Sequence, residues 1–414
     1  MKEKQHIPAG YKSSPLGIIP EDWEVKRLGD ACDYVDYRGK SPNKSSNGVF
    51  LVTAKNIRDG YIDYDISKEF IPIDEFEETM RRGKAQIGDV LITTEAPLGH
   101  IAQIDNSNIA LAQRVIKYRG KAGLRNTYLK YYLMSEGFQT ILIANATGST
   151  ALGIKGSRLH QLPIIIPNQQ EQDSIITVLS LWDSAISKQT ALIEKLTLRK
   201  RGLMQQLLTG RKRLEGFSGE WKEVRLGDVA SINRGGSPRP IEDYITDGDG
   251  YNWIKIGDVG VDAKYITRTE EKIIKEGLSK TRFVKSGDFI LSNSMSFGRP
   301  YILKIDGCIH DGWLVIQEYD KTFNIDFLYY ILGYDTTLAQ YKSMAAGSGV
   351  LNLNKEIVKE VMLKTPSIDE QKAIATILVE SDKEIELANK KLERLQEQKK
   401  GLMQVLLTGK RRIK

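Results

Sequence analysis

Two loops carry the same short chemistry at matching places, Arg38-Gly-Lys-Ser-Pro42 and Arg234-Gly-Gly-Ser-Pro238. The arginine supplies a cation, glycine lets backbone amides approach closely, and serine adds a hydroxyl donor. Those are the needs of a loop that grips phosphate. Lys40, Lys44 and Arg239 extend the positive charge. A second pair, TTEAPLGH at 93–100 and SNSMSFGR at 292–299, sets different polar side chains on one scaffold position. Thr94, Asn293 and Arg299 are therefore candidates for telling one base from another. A third pair, GSTALGIKGSR at 148–158 and GSGVLNLNK at 347–355, is rich in Gly and Ser and carries Lys155, Arg158 and Lys355. Arg or Lys suits guanine, and Asn or Gln suits adenine, by donor and acceptor pattern, although no base follows from the sequence. The plain alternative for each stretch is a solvated Gly–Pro turn or a variable surface loop.

Other chemistry is not spelled out. Cys32 and Cys308 do not match between the halves, there is no CxxC, and the four histidines are scattered, so no metal and no cofactor is expected. GSTALGIK at 148–155 approaches a P-loop, but Ile154 separates the second glycine from the lysine and no Ser or Thr follows. DEQK at 369–372 has a nuclease-like look that its counterpart QEQD at 170–173 lacks, and both sit at a helix start, where acidic residues serve the dipole. DGDGYNWIKIGD at 247–258 lacks the remaining acidic ligands of a calcium loop. Neither an NPPY-like motif nor GxGxxG occurs. The expectation is a non-catalytic chain, with an overlooked methyltransferase or nuclease site as the enzyme alternative. No apolar leader and no run near the roughly 18–20 residues of a membrane span are present, so a soluble, cytoplasmic protein is expected.

The elements that must position these loops are written twice. GLMQQLLTGRKRL at 202–214 returns as GLMQVLLTGKRRI at 401–413; RLGD at 27–30 returns at 225–228; GDVLI at 88–92 returns as GDFIL at 287–291. A period near 199 is too long for a solenoid and reads as a duplicated domain-plus-helix unit. The chain has 414 residues, is 41% apolar and 27% charged, and carries a net charge of +7, which favours polyanionic partners. The first half holds short β-like runs (GVFLVTA, GDVLITT, LPIIIP), the second matches it with FILSN, and each has one helix, at 127–143 and 325–341. RLGD reads as part of a strand. This is an α+β domain, present twice.

A long helix then follows Pro167 and Pro366, begun by apparent capping boxes, Asn168 with Glu171 and Ser367 with Glu370. Apolar residues recur on steps of four and three: Ile175, Leu179, Trp182, Ile186, Ile193, Leu196, Leu203 and Leu207 in the first copy. The second has Ile374, Leu378, Ile385, Leu392, Leu395, Leu402 and Leu406. This is a coiled-coil seam, interrupted in both copies by lysine, Lys200 and Lys399. Gly210 and Gly409 stop the helices, and basic clusters follow. At about 40 residues and roughly 60 Å each, the helices are longer than a domain is wide. They are expected to pair as an intramolecular antiparallel coiled coil with pseudo-two-fold symmetry.

IPEDWEVKRLGD at 19–30, EWKEVRLGD at 220–228, the paired P-x3-EQ helix starts and the paired GLMQxLLTG helix ends resemble the specificity subunit of type I restriction–modification systems. The resemblance spans the chain in order. It implies two α/β target recognition domains separated by the paired helices: an N-terminal segment at 1–21 packing near the distal helix end, domain 1 at 22–167, a central conserved helix at 168–213, domain 2 at 214–366, and a distal conserved helix with a basic tail at 367–414. It also implies double-stranded DNA as ligand, read as a bipartite asymmetric site with the helices as spacer ruler, and two methyltransferase subunits and separate restriction/translocase subunits as partners. A fused or type IIB-like system is the near alternative. From a different class, the alternative is a coiled-coil assembly scaffold without sequence-specific DNA binding.

Overall fold

The computed structural model describes residues 7–37, 42–148, 151–260, 263–293, 297–346 and 353–413. The chain divides into two compact units, Met1–Thr190 with Lys390–Lys414, and Ala191–Asn389. Each unit therefore combines one mixed domain with a part of both long helices.

In the first unit, strand Glu24–Arg27 pairs antiparallel with Pro163–Ile166, the two ends of the domain. A four-stranded sheet is ordered Cys32–Asp36, Val115–Gly120, Val90–Thr94, Leu98–Gln103, and a three-stranded sheet Phe70–Ile71, Val49–Val52, Ile109–Leu111. The second unit repeats this plan: Lys222–Arg225 pairs with Met362–Thr365, and two five-stranded sheets correspond to the four- and three-stranded ones. RLGD is not wholly strand. Leu28–Ala31 and Leu226–Val229 each form one helical turn directly after a strand, and Leu28 and Leu226 are fully buried under the domain.

The single helix expected in each domain is two. Asn126–Met134 stops before Ser135, whose hydroxyl caps Glu136–Ala144 by accepting from the Phe138 amide. Ile325–Leu332 likewise gives way at Gly333 and Tyr334 to Asp335–Ala345. Apolar spacing continues across both breaks, which is why periodicity alone joins them.

The long helices run Gln169–Leu207 and Ile368–Leu406, 39 residues each. Every apolar seam position is buried or half-buried, whereas Leu181, Leu192, Leu198 and Leu387, off the seam, are exposed. In the first unit Ile175 and Leu179 share a core with Met403, Leu406 and Leu407; in the second, Leu207 and Leu208 share one with Ile374 and Leu378. The start of one helix thus shares a core with the end of the other within each unit, consistent with antiparallel pairing. Each fully buried Leu or Ile here is worth roughly 1.5–3 kcal/mol. Both helices end through left-handed glycines, Gly210 at φ 70° and Gly409 at φ 71°. Beyond them the amides of Lys212 and Arg411 bond back to the Gln206 and Val405 carbonyls. Among the described residues no helix is long and apolar enough to cross a membrane.

Candidate nucleic-acid interface

The helices are clasped to their domains by polar groups that recur at the repeat interval. Gln172 accepts from the Arg125 amide (2.8 Å) and donates to the Pro167 carbonyl (2.9 Å). Gln371 does the same with Asn324 (2.8 Å) and Pro366 (3.0 Å). Buried Glu171 is more than a dipole partner. Asn168 Oδ1 caps its amide, but the carboxylate takes the Trp23 indole N–H (2.9 Å) and the Arg412 guanidinium. The capping box expected there is only half formed. In the second unit Glu370 takes Arg213 through both oxygens, at 2.6 and 2.7 Å. One arginine of each basic cluster is therefore an internal tie.

The lysines that interrupt the seam are explained by residues the spacing did not single out. Lys399 Nζ meets Asp183 Oδ1 at 2.5 Å, and the Tyr131 hydroxyl donates to Asp183 Oδ2 at 2.6 Å. In the second unit Lys200 pairs with Asp382, to which Tyr330 donates at 2.5 Å. Each aspartate joins one helix to the other and to its own domain.

On the first domain, the loops that carry the candidate residues converge on a turn the sequence reading passed over. Ala112–Arg114 links strand Ile109–Leu111 of one sheet to strand Val115–Gly120 of the other. Arg114 has φ 70°, its carbonyl accepts from the Thr94 amide, and its Nε lies 2.5 Å from Glu95 Oε1. Glu95 in turn bridges Gly153, and the Ile154 amide donates to the Thr94 carbonyl. A cleft of about 310 Å³ is lined by Lys44, Lys55, Gln113 and Arg114 among others, and a second of about 410 Å³ by Thr94, Gln113, Arg114 and Lys155.

The second domain repeats the convergence with different chemistry. His310–Gly312 makes the same crossover, from Gly307–Ile309 to Trp313–Gln317. Arg234 Nε (2.9 Å) and Asn293 Nδ2 (3.0 Å) both donate to the Asp311 carbonyl. The Ser237 hydroxyl donates to Asp311 Oδ1 (2.9 Å), His310 Nε2 lies 3.0 Å from the same oxygen, and Arg239 lies 3.7 Å from Oδ2.

Several candidates land elsewhere than at a reading surface. Arg38 and Lys40 lie outside the described residues. Thr94 is buried, and Asn293, 3% exposed, holds the Asp311 turn, so both position the turns. Lys44 pairs with Glu69, Arg158 donates to Asn145, Lys355 lies 3.7 Å from Glu356, and the Arg299 guanidinium sits over the Tyr301 ring. Lys155, Arg158, Arg234, Arg239 and Lys355 are exposed. The turn residues that the sequence reading did not single out are Gln113, Arg114, His310 and Asp311. The signal available for them was a short polar stretch between two apolar runs in each half, within which Gln113 corresponds to Asp311 and Arg114 to Gly312. Burial pushes the Cys32 thiol up to about 12 and Cys308 up to about 11, so neither is a nucleophile at neutral pH.

The profile described as the type I restriction modification DNA specificity domain matches this chain twice, over residues 20–198 and 218–397. Two relatives from Methanocaldococcus jannaschii are similar end to end. The putative type I restriction enzyme MjaX specificity subunit is 26% identical over 98% of this chain and 97% of its own. The type I restriction enzyme MjaVIII specificity subunit is 25% identical over 96% and 94%. Among solved structures, the type I restriction–modification S subunit from M. genitalium shares the fold at a TM-score of 0.57, with 16% identity over 93% of this chain and 96% of that one. A chain from a study of type I complex assembly and conformational transition does so at 0.63, with 19% identity over 94% and 99%.

Proposed function

The chain belongs to the type I restriction–modification DNA specificity family, and from that premise we propose that it reads a bipartite, asymmetric site with one half-site per recognition domain. As a specificity subunit it is non-catalytic, and its task is sequence-specific recognition of DNA, which sets aside the assembly-scaffold alternative. Its partners are DNA and the methyltransferase and restriction subunits of a type I complex. The proposal adds two methyltransferase subunits, a cytoplasmic location, and helices whose length sets the unread gap. Domain boundaries at 22–167 and 214–366 belong to the same proposal.

One observation carries the asymmetry: at matching positions of the same crossover the first domain presents Gln113–Arg114 and the second Asp311–Gly312. One scaffold with a cation in one copy and a carboxylate in the other suits two different half-sites, because base edges are read by donor and acceptor pattern. The exposed lysines and arginines around the turns supply the phosphate contacts that fix register without carrying sequence.

Selection from randomised DNA tests this, using the chain co-expressed with its methyltransferase subunits. Two different short motifs at a constant gap are expected, with affinity falling steeply as salt rises. A single contiguous motif refutes the bipartite reading. A palindrome refutes the asymmetry.

A further inference from the structure

We propose that the crossover turn is the base-reading element of each recognition domain. Arg114 pairs with a guanine in the first half-site, and Asp311 accepts from an exocyclic amino group of cytosine or adenine in the second. The proposal rests on the bipartite reading above and assigns residues and base chemistry within it.

Three observations converge on Arg114. The first is its backbone. A left-handed φ of 70° is uncommon for a residue other than glycine, asparagine or aspartate. The aligned position in the other domain is Gly312, whose φ is not left-handed, so the same crossover is made there without this conformation and without an arginine. A long cation kept in such a turn points to a role in recognition. The second is preorganisation. Arg114 is half exposed (55%) and its Nε engages Glu95, which orients the guanidinium. The two terminal amino groups are the ones whose spacing matches O6 and N7 of guanine. The third is setting. Exposed Lys155 lines a cleft together with Arg114, placed for a phosphate that flanks a base.

Asp311 answers to the same logic with the opposite sign. Its carboxylate is 31% exposed and is held by Ser237, His310 and Arg239, while Arg234 and Asn293 fix its backbone. An ionised carboxylate only accepts, and phosphate repels it. A base amino group, cytosine N4 or adenine N6, is the partner on DNA that suits it.

The test repeats the selection with the full chain and its methyltransferase subunits, using Arg114→Gln, Arg114→Lys and Asp311→Asn. Arg114→Gln is expected to lose preference for guanine at one position of the first half-site by about 10- to 100-fold. The second half-site and the gap stay unchanged, and that unchanged half-site is the folding control. Arg114→Lys, which keeps the charge without the fork, is expected to weaken the same preference, and it decides the matter should Arg114→Gln yield no complex. Asp311→Asn is expected to alter one position of the second half-site alone. Wild-type preferences in all three variants overturn the proposal. So does a uniform loss across sequences with a shallower salt slope, which marks a phosphate contact. Failure of the wild-type chain itself to select two motifs is separate and strikes the bipartite reading.

Discussion

Replacing Lys399 with methionine removes the cation that Asp183 shares between the two helices. Lys399 is 13% exposed and Asp183 38%, so the pair is partly shielded from water. Breaking a fully buried pair costs about 3–5 kcal/mol because a charge is stranded. Here Asp183 keeps the Tyr131 hydroxyl at 2.6 Å and Lys130 at 3.8 Å, and it remains over one-third exposed. Burial holds the Lys130 ammonium below the ordinary lysine range, Asp183 opposing and Lys399 adding to the effect, so loss of Lys399 also relieves a like charge. The expected cost is therefore lower, about 1–2 kcal/mol, which lowers Tm by about 2–8 °C for a domain of this size. Asp183→Asn and the double variant complete a cycle, read by thermal or urea unfolding. A coupling of about 1 kcal/mol is expected, and Lys200→Met with Asp382→Asn should give a similar value in the second unit. A coupling below about 0.3 kcal/mol in both cycles would refute the claim that these aspartates tie the helix pair.

Glu171→Ala should destabilise more than Glu370→Ala, by about 1 kcal/mol in urea unfolding, because Glu171 also satisfies the buried Trp23 indole whereas Trp221 Nε1 has no hydrogen-bond partner among the described residues; equal costs would contradict this. Gly409→Ala should cost more than Gly210→Ala. Both adopt left-handed φ, but a Cβ at 409 would lie 2.3 Å from Pro20 while the nearest atom at 210 is 3.5 Å away in Trp221; matching Tm losses would rule the crowding out. Inserting seven residues after Lys195 and seven after Leu387 keeps the heptad and lengthens the pair by about 10 Å. The unread gap should grow by about three base pairs with both half-sites retained, and an unaltered gap would mean the helices do not set it. Asp22 is held below the ordinary aspartate range: slight burial raises it, but the hydrogen bond and charge of Arg412 outweigh that. With the folded value below the unfolded one, its contribution is complete above about pH 4 and is lost as pH falls through the folded value. The Tm difference between wild type and Arg412→Gln should accordingly narrow below about pH 4; a constant difference argues against the linkage.

Much of the frame was legible in the residues. A repeat of domain and helix, the 4-3 seam, the glycine stops and the EQ helix starts are local or periodic patterns, and each residue's place in them follows from backbone geometry. Burial of Ile175, Leu179, Ile374 and Leu378 follows from the seam alone. The break of each domain helix was not legible, because apolar spacing runs straight through Ser135 and Gly333 while capping decides the chain's path.

The site was half legible. Composition marked the loops around Arg234, Ser237, Asn293 and Lys155, since Gly, Ser and basic residues at corresponding positions of a repeat are visible in one dimension. It could not say that within each domain such loops meet at one turn, or that Thr94 and Asn293 are buried supports. Nor could it pair Lys399 with Asp183 or Arg412 with Glu171, over two hundred residues apart in the chain. The sequence by itself determined the duplicated plan and the chemistry available to each copy. Only the tertiary structure decided which side chains are used in holding the fold and which remain at a surface. That division depends on burial and on partners distant along the chain, and neither is set by local spacing.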